Sequence, residues 1–148
     1  MSVRALLDTS ALLPLLVKSH PHHEAARAYR QSLVTRQGQM LVAAHGLAET
    51  YSGLTRLPGR LAPSDAARII DLLLAKVEVV ALSGDEYAQV IQRAAVLGLV
   101  SGAIYDLLHV RSAEVGGADE LVTFNGRDFR RMEPHGAAWS RMEPHGAA

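Results

Sequence analysis

The 148-residue chain contains no cysteine. That absence excludes disulfide cross-links, thiolate nucleophiles and cysteine-based zinc sites together, and it fits a reducing cytoplasm. Lysine is scarce as well, confined to Lys18 and Lys76, so arginine carries nearly all the positive charge. Neither sign dominates: 15 basic residues balance 15 acidic ones, so no whole-molecule field draws in a polyanion. Long apolar runs are missing too. Nothing approaches the ~20 uninterrupted apolar residues that cross a bilayer, and Arg4 and Asp8 spoil the N-terminal stretch as a secretion signal. With 49% hydrophobic residues and no low-complexity tract, the expectation is one soluble, cytoplasmic domain with a real core and no membrane partner.

Strand-like runs stand at Val3–Leu7, Met40–Ala43, Val77–Leu82 and Glu120–Phe124. Between them, apolar residues recur at helical spacing. Leu12, Leu15 and Leu16 form one stripe; Ala25, Ala26, Tyr29 and Leu33 form a second. Leu47, Tyr51 and Leu54 form a third, and Ala67, Ile70, Leu73 and Leu74 a fourth. Ser83 is placed to cap a helix that closes near Gly98, and a further helix closes at Gly116 or Gly117. Short strands alternating with helices predict a three-layer α/β/α sandwich around a mostly parallel sheet. Right-handed crossovers would then bring all strand C-termini to one rim, where ligands of such sheets bind.

The C-terminus repeats itself. "RMEPHGAA" at 131–138 recurs unchanged at 141–148. Repeats that build solenoids diverge and carry an apolar unit, and this one does neither, so it reads as an artefact. Residues 1–132 are therefore taken as the domain and 133–148 as a tail outside it.

Acids and their relatives fall at the expected rim. Asp8 follows the first strand, inside the apolar run "LLDTSALL"; Glu49 lies in "AAHGLAETYSGL" after the second. Asp106 opens the helix in "SGAIYDLLHVRSAE", and Asn125 and Asp128 follow the last strand in "LVTFNGRDF". Each has an ordinary explanation alone: Asp8 can cap a helix, Glu49 can be a solvated helix residue, and Asp106 can favour a helix N-terminus. Gathered together, carboxylates would repel and raise one another's pKa. A divalent cation removes that penalty, and all-oxygen ligands select Mg2+ or Mn2+. Such an ion suits phosphodiester hydrolysis. Arg56, Arg60 and Arg127 flank the rim as candidate phosphate contacts, set against ordinary solvated arginines. His20, His22 and His23, without cysteine partners, read as surface or capping residues. His109 reads as a satisfied, partly buried histidine within one turn of Asp106.

These motifs, in order over residues 3–130, resemble the PIN-domain ribonucleases, and within them the VapC-type toxins of toxin–antitoxin modules. The resemblance implies an endoribonuclease dependent on Mg2+ or Mn2+, a homodimer, and a VapB-type antitoxin partner. It assigns Asp8 and Asp106 as direct metal ligands and Glu49 as the acid that completes the pocket. Asn125 falls at a family position held by Asp or Asn, with Asp128 close enough to supply charge. Thr9 and Thr123 match hydroxyl positions that orient a carboxylate or a metal-bound water. A non-catalytic PIN-like module that holds RNA or protein is the alternative. A haloacid-dehalogenase-like phosphatase is disfavoured because Ser10 stands where its second acid would be.

Overall fold

The computed structural model describes residues 2–56, 59–126, 132 and 140–142, the last three through their backbone. The elements run β1 (Arg4–Leu7), α1 (Thr9–Leu16), α2 (His23–Thr35), β2 (Gln39–Ala43), α3 (Ala44–Arg56) and α4 (Pro63–Leu74). They continue β3 (Glu78–Val80), α5 (Gly84–Leu97), α6 (Ala103–Val115), β4 (Glu120–Val122) and β5 (Ser140–Met142). Every pairing is parallel, in the order β3-β2-β1-β4-β5. The chain thus builds outward from β1 on one side through β2 and β3, and on the other through β4. A crevice opens at the carboxyl ends of β1 and β4, where the winding reverses.

Two cores flank the sheet, and the pleat sorts residues between them. Leu6, Leu41 and Leu121 point to one face, where they meet Val90 and Ala94 of α5 and Leu107 and Val110 of α6. Ala5, Leu7, Met40, Val42 and Val122 point to the other, against Leu12 of α1, Tyr29 and Leu33 of α2, and Leu73 of α4. The period of two along each strand means that both faces are buried, so the runs are continuously apolar. This is the three-layer arrangement expected from the alternation of elements.

Local signals act where the sequence places them. Ser83 Oγ accepts from Glu86 N at 3.1 Å while Glu86 Oε1 accepts from Ser83 N at 2.9 Å, a reciprocal cap on α5. Gly98 ends that helix at φ 70°, a left-handed conformation cheap only for glycine.

Two helix faces depart from the expected stripes. In α4 the buried side runs through Ala66 and Leu73, while Ala67 and Leu74 are exposed. In α3 it runs through Gly46, Thr50, Gly53 and Leu54, while Tyr51 is exposed. The reason in α3 is close approach: a Cβ on Gly53 would lie 2.6 Å from Leu13 Cδ1. Small residues therefore face inward, and a pattern search that weighs only large apolar residues tilts away from them. The strands β3 and β4 are also shorter than the apolar runs that contain them. Residues 140–142, counted with the tail, lie beside β4 with Glu120 opposite Ser140.

Candidate active site

Asp8 stands in the crevice between β1 and β4. Its N–H donates to Val122 O at 3.1 Å, continuing the pairing of the two strands by one residue. Its side chain then caps α1, accepting from Ala11 N at 3.1 Å. The same Oδ1 accepts from Ser10 Oγ at 2.7 Å, and Oδ2 accepts from Thr123 Oγ1 at 2.7 Å. A second tier holds these hydroxyls: Thr123 Oγ1 accepts from Asn125 N at 2.8 Å, and Ser10 Oγ from Phe124 N at 2.9 Å. The carboxylate is 2% exposed, and its hydrogen bonds come from neutral groups. Burial raises its pKa above the ordinary Asp range, although the charge of His109, the hydroxyls of Thr123 and Ser10 and the Ala11 amide pull against it. Capping and site roles coexist because a carboxylate offers about four lone-pair sites and the cap uses one.

The second centre is Glu49, half-buried on α3. Its Oε1 lies 3.0 Å from His109 Nε2, 3.3 Å from His45 Nε2 and 3.0 Å from Thr9 Oγ1, which donates to it. His45 is one turn earlier on the same helix, and His109 reaches across from α6; the two rings lie 4.2 Å apart between centroids. Gly46 makes the approach of α6 possible, since a Cβ there would sit 3.0 Å from His109 Cε1. Burial works to raise the pKa of Glu49, but the hydrogen bond and charge of His109, with His45 and Thr9, outweigh it and hold the carboxyl below its ordinary range. His45 is pushed down to about 4, by burial first and by His109 next. At neutral pH it is uncharged, and its Nε2 bonds Tyr105 O at 3.2 Å, so its approach to Glu49 is a close contact rather than an ion pair.

The remaining expected residues divide. Asp106 is partly buried in the first turn of α6, one turn before His109. Thr9 and Thr123 each bond a carboxylate, Glu49 and Asp8 respectively. Asn125 meets the cluster through its backbone N–H, while the residue itself is exposed. Arg56 and Arg60 are exposed, the first at the end of α3 and the second in the loop that follows. Asp128 and Arg127 lie outside the described residues. His22 stacks on Phe124 at 4.5 Å, beside the crevice, and His23 Nδ1 bonds Pro14 O at 2.8 Å.

Two residues of the site escaped sequence reasoning. Ser10 ties Asp8 to the β4 end, and its only signal was proximity to Asp8. His45 had a better one, since it precedes Glu49 by four residues and must share its helix face. His109 is more buried than expected, at 2% exposed, and its Nε2 is engaged with Glu49.

Chemically, the cluster offers carboxylates and hydroxyls on a rigid rim, with a buried Asp8 whose charge lacks full compensation. The carboxylates of Asp8 and Glu49, tied through the neighbouring Thr9, are oxygen donors of the kind a hard divalent cation takes, while Asp106 lies one turn before His109 on α6.

Comparison with known proteins follows the same lines. The chain matches the PIN domain over residues 5–133. It is 36% identical over 124 residues to Ribonuclease VapC27 of Mycobacterium tuberculosis, covering 82% of this chain and 84% of that protein. Its fold is similar to the crystal structure of M. tuberculosis VapC20, a Sarcin-Ricin loop cleaving toxin, with a TM-score of 0.70 at 21% identity over 85% of this chain and 93% of the other. It is also similar to VapBC-1 from nontypeable Haemophilus influenzae, with a TM-score of 0.67 at 22% identity over 95% of this chain and 98% of that one. The parallel order about β1, the carboxylate at its carboxyl end and these matches converge on one assignment: the chain belongs to the PIN-domain family.

Proposed function

We propose that the protein is a metal-dependent endoribonuclease that hydrolyses RNA phosphodiester bonds, acting as the toxin of a VapBC-type module. One observation carries the reading beyond family membership: Asp8 is buried at the sheet's switch point, held by neutral hydroxyls, with Glu49 anchored through the adjoining Thr9. A carboxylate kept in that position is costly unless a cation compensates it. The 36% identity to a protein named as a ribonuclease supports the same chemistry.

In this reading Asp8, Asp106 and Glu49 hold Mg2+ or Mn2+, and Asn125 and Asp128 complete the acidic rim. When bound, the ion supplies an activated water and neutralises charge on the phosphate. The chain's own residues prepare the place. Thr123 and Ser10 fix the Asp8 rotamer, and the two cores hold its backbone rigid. Thr9 and His109 orient Glu49, which stays ionised at neutral pH because its carboxyl titrates below the ordinary range. Arg56, Arg60 and Arg127 contact the RNA backbone outside the metal centre.

A VapB-type antitoxin is the proposed partner, consistent with VapBC and FitAB complexes among the structures of similar fold. The proposed active form is a homodimer in the cytoplasm. The nuclease unit comprises residues 1–132, and the repeated tail lies outside its chemistry.

The decisive experiment compares RNA cleavage by the wild-type protein with Asp8→Asn and Asp106→Asn, with and without Mg2+ or Mn2+. Cation-dependent cleavage by the wild type, lost in both variants, is expected. Undiminished cleavage in both would overturn the assignment, and RNA binding without cleavage would favour a non-catalytic module.

A further inference from the structure

The donors around Glu49 differ in kind from those around Asp8. Magnesium takes oxygen ligands and keeps much of its water, whereas two imidazoles and one carboxylate suit zinc and its neighbours. His45, Glu49 and His109 each present a ligand atom, all within 4.8 Å of one another. The separations are informative. A tetrahedral zinc with Zn–N distances of ~2.0–2.1 Å has its ligands about 3.3 Å apart. Here His109 Nε2 and His45 Nε2 lie 3.0 and 3.3 Å from Glu49 Oε1.

The scaffold behind these atoms is firm. His45 and Glu49 are four residues apart on α3, the spacing that puts two ligands on one helix face. His109 is fixed in the core on α6, with its ring seated over Gly46. Two helices therefore bring the three ligand atoms within 4.8 Å of one another, and three protein ligands leave a coordination position open.

We propose that His45, Glu49 and His109 form a binding site for one zinc-class cation, and that its occupancy withdraws Glu49 from the oxygen-rich centre beside Asp8. The binding site stands on its own donors; its effect on hydrolysis rests on the nuclease reading above. Zinc would thus act as an inhibitor rather than as the catalytic ion. The surroundings predict an exchangeable site. His109 Nδ1 is buried and has no hydrogen-bond partner among the described residues, and lack of such an outer partner typically lowers metal affinity ~10–100-fold. His45 Nε2 also lies 3.2 Å from Tyr105 O, so zinc must displace the hydrogen bond to that carbonyl.

The test uses the full chain, stripped of metal and titrated with ZnCl2 by calorimetry, with Co2+ as a visible-absorption probe of tetrahedral geometry. One equivalent should bind, at least ~10-fold more weakly in His45→Gln. Asp8→Asn should bind it as the wild type does. Mn2+ resonance then reports the competition: zinc should release bound Mn2+ from the wild type, and fail to do so in His45→Gln at the same concentration. Absence of stoichiometric zinc binding overturns the proposal. So does undiminished binding in both His45→Gln and Glu49→Gln, which would place zinc elsewhere, for example on His20, His22 and His23. Zinc binding at this triad in a chain that holds no Mn2+ upholds the site while refuting the nuclease reading and the competition.

Discussion

Asp8 and Glu49 are linked through adjacent residues, yet their environments push them in opposite directions. Asp8 is enclosed by hydroxyls and apolar strands, and burial raises its pKa. Glu49 is half open and flanked by imidazoles, and its pKa is lowered. The difference shows that clustering does not give acids one shared behaviour. Each takes its state from its own balance of burial against hydrogen-bond and charged partners. Asp8 is costly to ionise and gains most from a cation, whereas Glu49 is already compensated by histidine.

The sharpest way to break the comparison is Asp8→Asn. Cleavage should fall by at least ~10²-fold, the scale of removing one strong electrostatic element from a reacting centre. Stability should move the other way. A raised carboxyl contributes its full stability below the ordinary Asp pKa and loses it as pH rises through its own folded value. Once ionised, Asp8 is thus a burden that grows with pH, and Asn caps a helix about as well as Asp. The variant's melting temperature should equal or exceed the wild type's at pH 7, with the gain fading in acid. Millimolar Mg2+ should raise the melting point of the wild type and leave that of the variant unchanged. A variant that melts well below the wild type at pH 7 would contradict this account.

Thr123→Val tests the hydroxyl shell alone. It removes the bond to Asp8 Oδ2 and the acceptor for Asn125 N while keeping volume, so Mg2+ or Mn2+ affinity should drop ~10–100-fold, with KM for RNA little altered. Equal metal affinity in a binding titration would show that Thr123 serves only packing.

Gly46→Ala perturbs the other centre. Its new Cβ would press on His109 Cε1 at 3.0 Å, which should cost about 1–3 kcal/mol of stability and displace the histidine from Glu49. Denaturant unfolding measures the first effect, and a ring-proton shift of His109 the second. Unchanged stability would mean that α6 can recede.

The effect narrowest in range concerns acid. His45 titrates near 4 in the folded chain, against about 6.5 unfolded. Its stabilising contribution is therefore complete above about 6.5 and is lost as pH falls toward 4. His45→Gln should flatten the stability profile in that window. Identical slopes for the two proteins would remove His45 from the comparison.

Much of this was readable from the chain. Alternating apolar runs and helical spacings determined a parallel α/β/α sandwich because those periods report burial on one face or two. The Ser83 cap and the Gly98 stop act within a few residues. Asp8, Glu49 and Asp106 stood out because strand ends in such a sheet share a rim, and the likeness to PIN-domain proteins followed from their order. Tertiary structure alone decided the rest. It turned α3 inward on its glycines, because close approach to Leu13 and His109 matters more than side-chain size. It joined Thr123 to Asp8 across 115 residues, and His109 to Glu49 across 60. Charge states depend on those distant partners, since desolvation and hydrogen bonding are properties of a place in the fold. The sequence by itself marked Asp8 and Glu49 as the acids that follow the first two strands. Packing decided which one is buried, which one is compensated, and which histidines stand beside them.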